Sequence, residues 1–184
     1  MLLVVCFAVA VLTVPLAGGR LSQLASLSVA RAWALGAALA IQVVIISVIP
    51  EGGPSLHAVA HVVSYGFVLA FLVANRRVPG LWLVAIGAGM NLAAIAANGG
   101  VMPASPAALA RAGQTVEGER FANSTAVPDP MLPFLGDIFA VPQPLPFANV
   151  FSAGDVCIVL GAALVVHRVC DSRLALGARP RSAR

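Results

Sequence analysis

Five long apolar runs, separated by stretches whose net charge alternates in sign, limit what this chain can fold into more than any motif does. The runs cover residues 1–17, 32–49, 57–74, 80–97 and 151–167. Each comes close to the roughly 20 residues an α-helix needs to cross a hydrocarbon core. Between them lie Arg20 and Arg31, then Glu51, then Arg76 and Arg77. A net acidic stretch follows, in which Glu117, Glu119, Asp129 and Asp137 outweigh Arg111 and Arg120. The tail, 168–184, is basic, with Arg168, Arg173, Arg179, Arg181 and Arg184 against Asp171. Basic stretches stay on the cytoplasmic side. The expected fold is therefore an all-α, polytopic integral membrane bundle of five transmembrane helices. It would form a single membrane domain over residues 1–184, with the N-terminus outside and the C-terminus cytoplasmic.

Composition agrees with a membrane location. Of 184 residues 60% are hydrophobic and 10% charged, whereas in soluble domains about a quarter are charged. The pI near 9.8 does not point to nucleic acid, because the basic residues are dispersed and not interleaved with aromatics. All 11 are Arg, which with the Ala and Val richness suggests a bacterial source and hence the bacterial cell membrane. The first run lacks the basic start of a cleavable signal peptide and is read as a retained span. Cys6, Cys157 and Cys170 compose neither a disulfide framework nor a metal pair.

Residues 20–31 place Leu21, Leu24 and Leu27 three apart, the pattern of a short amphipathic interfacial helix. Gly and Pro make tight turns of 51–54 and 75–79, so spans two to four are expected to be antiparallel neighbours. Small residues recur every fourth position in span two (Ala32, Gly36, Ala40) and span four (Ala85, Gly89, Ala93, Ala97), a candidate seam for close helix packing. The outer segment, 98–150, has a polar part, 107–129, expected to be a solvated loop. An apolar, Pro-rich part, 130–150, follows. It is too short for a span and is expected to be extracytoplasmic and re-entrant or interfacial.

Polar residues within the runs gather near their outer ends. His61, Ser64, Asn91, Asn98, Asp137, Ser152 and Asp155 are the candidates for an outward-facing polar pocket, since polar groups in a membrane must find partners. His57 and His61 have the spacing at which two imidazoles can share a metal. Further ligands would have to come from Glu51, Asp137 or Asp155, so the expectation is hydrogen-bonded histidines, His61 buried and His57 wet, with no metal and no cofactor. Ser152 and Asp155 have the spacing of a capping box, expected to tie the outer segment to the last helix together with Asn98. A Ser–His–Asp hydrolase set drawn from Ser64 or Ser152, His61 and an Asp lacks the nucleophile-elbow glycines.

The motifs Asn98-Gly-Gly-Val-Met-Pro-Ala-Ser105, Leu135-Gly-Asp-Ile138, Pro142-Gln-Pro144 and Asn149-Val-Phe-Ser-Ala-Gly-Asp155 come in order. With His61-Val-Val-Ser-Tyr65, Asn75 and Asn91, they make the chain resemble a bacterial membrane family known as domain of unknown function 5317, up to about Val166. The resemblance implies no activity and no catalytic residues. It implies that the outer segment and the mouth of the last span form one unit. The functional expectation is a multi-pass, non-enzymatic binding or accessory subunit of the lipid bilayer. Its partner at the outer face would be a lipid, a small ligand or another membrane protein, and not nucleic acid. The alternatives are a small ion-coupled transporter or transporter subunit and, behind it, an outer-leaflet enzyme.

Overall fold

A computed structural model describes residues 2–49, 54–114 and 124–175. The expected turn at Glu51 and most of the basic tail lie outside these residues. The helices are α1 (Leu2–Leu16), α2 (Ala32–Val43), α3 (Pro54–Ala74), α4 (Leu81–Ala97), α5 (Pro106–Ala112) and α6 (Ala153–Val169). The strands are β1 (Met102–Pro103), β2 (Ser124–Thr125), β3 (Phe139–Val141) and β4 (Asn149–Phe151).

The five-span bundle is not what forms. Among the described residues only Ser55–Ala74, within α3, is long and apolar enough to cross a membrane, with 20 residues and mean hydropathy 1.9. Helices α1, α2, α4 and α6 have 15, 12, 17 and 17 residues. The physical reason is that an apolar run is not the same as a helix. The second run leaves regular α-geometry after Val43 and continues as a π-helical turn, Val44–Val48. The fourth stops at Asn98, where Gly99 and Gly100 adopt φ of 68° and 91°, conformations open to glycine. The fifth spends its start on β4.

α4 packs along α6, α2 along α3, α1 against α6 and α3 against α4. The α4–α6 seam is made by glycines seven apart on each helix or at its cap. Cβ atoms added at Gly87 or Gly154 would strike the other's backbone carbonyl, and those at Gly80 and Gly161 would meet the backbone of Val165 and Val84. The expected small-residue stripes are not seams. Gly36 and Gly89 have nothing within 4 Å of a built Cβ, and Ala32, Ala40 and Ala93 are exposed. The turn after α3 forms as expected and is held by Asn75, whose side chain accepts from Ala30 N (2.8 Å) and donates to Ala30 O and Phe71 O (both 2.8 Å). The short helix expected over residues 20–31 forms as a 3₁₀ helix, Leu21–Ser26. Its Leu24 packs on Val14, Val166 and Cys170.

The segment between α4 and α6 is a folded cap with two small sheets. β1 pairs in parallel with β2 (Met102 opposite Ser124, Pro103 opposite Thr125). β3 and β4 form an antiparallel hairpin with Phe139 opposite Phe151, the two rings stacked 5.4 Å apart. Where a solvated loop was expected, α5 buries Ala108, Leu109 and Ala112 against Ala104 and Val150. Its signals were Pro106 at the first turn and Gly113 at the C-terminal cap, φ 65°.

Candidate functional site

Ser152 and Asp155 form the expected capping box at the start of α6. The Ser152 hydroxyl accepts from Asp155 N (3.0 Å), and Asp155 Oδ2 accepts from Ser152 N (3.1 Å). This satisfies first-turn amides that have no partner inside the helix. Asn91 closes the arrangement from α4. Its Nδ2 donates to Asp155 Oδ1 at 2.9 Å, and its Oδ1 accepts from the Ser152 hydroxyl at 2.8 Å. The Tyr65 side chain of α3 reaches the same group through Asn91, and the His61 ring lies 5.7 Å from that of Tyr65. Thus Asn91, Ser152 and Asp155 meet directly, with Tyr65 and His61 alongside.

The remaining candidates serve neighbouring joints. His61 donates from Nδ1 to Gly100 O (2.9 Å), which pins α3 to the start of the cap. Gly100 is needed there because a Cβ would collide with Ala58. Ser64 donates to His61 O (2.7 Å) and accepts from Gln42 Nε2 (2.6 Å) of α2. Asn98 is not part of the α6 cap as expected. Its side chain donates to Ala94 O (2.7 Å) and Met131 O (2.8 Å) and accepts from Met131 N (2.9 Å). His57 is buried, not wet: it is 2% exposed and donates from Nε2 to Ile49 O at 2.6 Å. Among the described residues no three His, Cys, Asp or Glu side chains are grouped to hold a metal ion.

Asp137 is the most buried carboxylate among the described residues. It is 4% exposed. Its Oδ2 accepts a short hydrogen bond from the Ser124 hydroxyl, and its Oδ1 has no partner among the described residues. Burial outweighs the opposing Ser124 bond and, with a smaller push from the negative charge of Asp155, raises its pKa to about 6. Its backbone is tied as well, with Asp137 N donating to Pro103 O (2.9 Å) and Ser105 N donating to Asp137 O (3.0 Å).

A cavity of about 400 Å³ opens on the cap, lined by Pro103, Ala104, Ser105, Pro106, Val127, Pro130, Pro133, Phe134 and Ile138. Of the candidates none lines it, although Asp137 immediately precedes Ile138. This cavity is apolar and proline-walled, while the polar candidates hydrogen-bond to one another, to Ser124 and to backbone. The clustered prolines carried the signal for this cavity, but strand pairing was needed to bring residues 103–106 and 127–138 together.

Sequence reasoning also missed a polar chain at the other end of α6. His167 is buried, with Nε2 3.2 Å from Thr13 Oγ1 of α1 and Nδ1 2.6 Å from Ser172 Oγ. The Thr13 hydroxyl donates to Ala10 O (2.8 Å), so it accepts from His167 Nε2 and leaves Nδ1 to accept from Ser172. A histidine at the end of an apolar run was the visible signal.

Comparison with known proteins adds one match. No curated protein and no solved structure matches the chain. A family described as a family of unknown function, DUF5317, matches residues 26–167. That range takes in α2, α3, α4, the whole cap and most of α6, so the chain belongs to the DUF5317 family.

Proposed function

We propose that this protein is a non-enzymatic binding or accessory component of the bacterial cell membrane, and that its cap takes up the apolar chain of a lipid. The observation that carries the reading is the proline-walled cavity. Pro103, Pro106, Pro130 and Pro133 hold its rim with little conformational freedom to lose, and no charged side chain lines it. The surroundings favour lipid as the occupant. Large apolar side chains cover the outer faces of the helices, among them Leu12, Trp33, Leu39, Val59, Leu69, Trp82 and Leu160, far more than a water-facing surface normally shows. Chemistry is disfavoured because the groups that would perform it are engaged: the Ser152 hydroxyl donates to Asn91 and both Asp155 oxygens accept hydrogen bonds.

Native mass spectrometry of protein extracted in mild detergent tests this. The wild type is expected to retain a phospholipid that Val127→Trp, which fills the cavity, does not. Equal retention by the two proteins, or none by the wild type, would sink the proposal.

A further inference from the structure

The walls of the cavity come from three separate pieces of chain: 103–106 from the end of β1 onward, Val127 after β2, and 130–138 leading into β3. One residue joins all three. The Asp137 side chain takes the Ser124 hydroxyl of β2, and its backbone bonds Pro103 and Ser105 at 2.9 and 3.0 Å. The β1–β2 pairing and the bond from Ala104 N to Thr125 O (2.8 Å) complete the joint. Whatever moves Asp137 therefore moves every wall.

We propose that Asp137 and Ser124 form a proton-operated clasp on the cavity, holding the walls together while Asp137 is neutral and releasing them when it ionises. The inference rests on the cavity being the binding site proposed above. The Ser124 hydroxyl supplies one donor to either form of the carboxyl. An ionised carboxylate wants more donors, and here Oδ1 has none among the described residues. The charge would then be driven toward water, which it reaches only if the joint opens.

Among the described residues the titratable groups that face Asp137 do not stabilise its charge, and the Ser124 hydroxyl does so only in part. From α6 comes Asp155, which repels it, and from α3 the Tyr65 phenol, with His61 beyond it. Strands β1 and β2, the 3₁₀ turn Pro133–Leu135 and helix α4 carry no titratable side chain. Arg111 of α5 and Asp129 of the loop are exposed. With its pKa at about 6 in the closed joint against an ordinary 3.8, the clasp tightens as pH falls from about 6 toward 4.

Amide hydrogen exchange at Ala104, Ser105 and Asp137, measured in detergent from pH 4 to pH 7, tests the clasp. Asp137→Asn at each pH serves as the reference, since it keeps shape and hydrogen bonding but cannot ionise. Wild type and variant are expected to exchange nearly alike at pH 4. By pH 7 the wild type should exchange faster, by up to about a hundredfold, the ratio that two pKa units allow. Ser124→Ala should open further at pH 7. Should Asp137→Asn fail to fold, the amides of the β3–β4 hairpin in the wild type replace it as the reference. A wild-type ratio that stays flat with pH overturns the clasp. Native mass spectrometry at both pH values separates the two ideas. Lipid retained with flat exchange overturns the clasp alone; exchange that rises in a protein that never holds lipid supports the clasp and overturns the cavity's reading as a lipid site.

Discussion

Asn91 makes two bonds of opposite sense, donating to Asp155 and accepting from Ser152, and a hydrogen-bonding amide is required for both. Asn91→Leu strands a buried hydroxyl and a carboxylate oxygen, so it should cost about 1–3 kcal/mol, read by thermal unfolding in detergent. Ser152→Ala should cost about 0.5–2 kcal/mol as a lost cap. The double variant should lose less than the sum, because the residues share one network. Asp137 gives a prediction of opposite sign. Its folded pKa, about 6 against 3.8, lies above the unfolded one, so its contribution is fully present below about pH 3.8 and is lost as pH rises from there through about 6. Asp137→Asn should therefore gain on the wild type between pH 4 and pH 8, by up to about 3 kcal/mol. Denaturation at the two pH values checks this, and an unchanged difference would refute it. The capping box was legible because its two residues lie three apart in one chain segment. Asn91 was legible only as a polar residue in an apolar run, since its partners depend on how α4 and α6 are set against each other.

That setting is an element-scale matter, decided by four glycines. Gly87→Ala and Gly161→Ala should lower the unfolding temperature, because the new Cβ meets backbone across the seam. Gly36→Ala and Gly89→Ala, with open space around the site, should instead raise helix stability by up to about 1 kcal/mol. A scan of the four by thermal unfolding would expose a misassigned seam if the two pairs behaved alike. In an Ala-rich chain small residues fall at every fourth position without packing, which is why the stripes misled. Glycines seven apart were as visible but needed the partner helix to give them meaning. The element ends show the same limit: the hydropathy of residues 32–49 says nothing of the π-helical turn at Val44–Val48. The apolar residues 149–151 read as the mouth of a helix until Phe139–Val141 is seen to pair with them.

At the scale of the molecule, α6 stands between α1, α4 and the cap. α1 meets it through Val14, Val166 and Cys170 and through Thr13 and His167. α4 meets it along the glycines. His167→Ala removes a buried bridge from both Thr13 and Ser172, and should loosen α1 while leaving the cap's exchange protection in place. This central position also has a consequence in time. Synthesis runs from the N-terminus at roughly 5–20 residues per second, so α1 and α4 are made well before the helix on which each rests. For on the order of ten seconds the growing chain must keep two apolar helices from other partners, until α6 emerges and lets them settle.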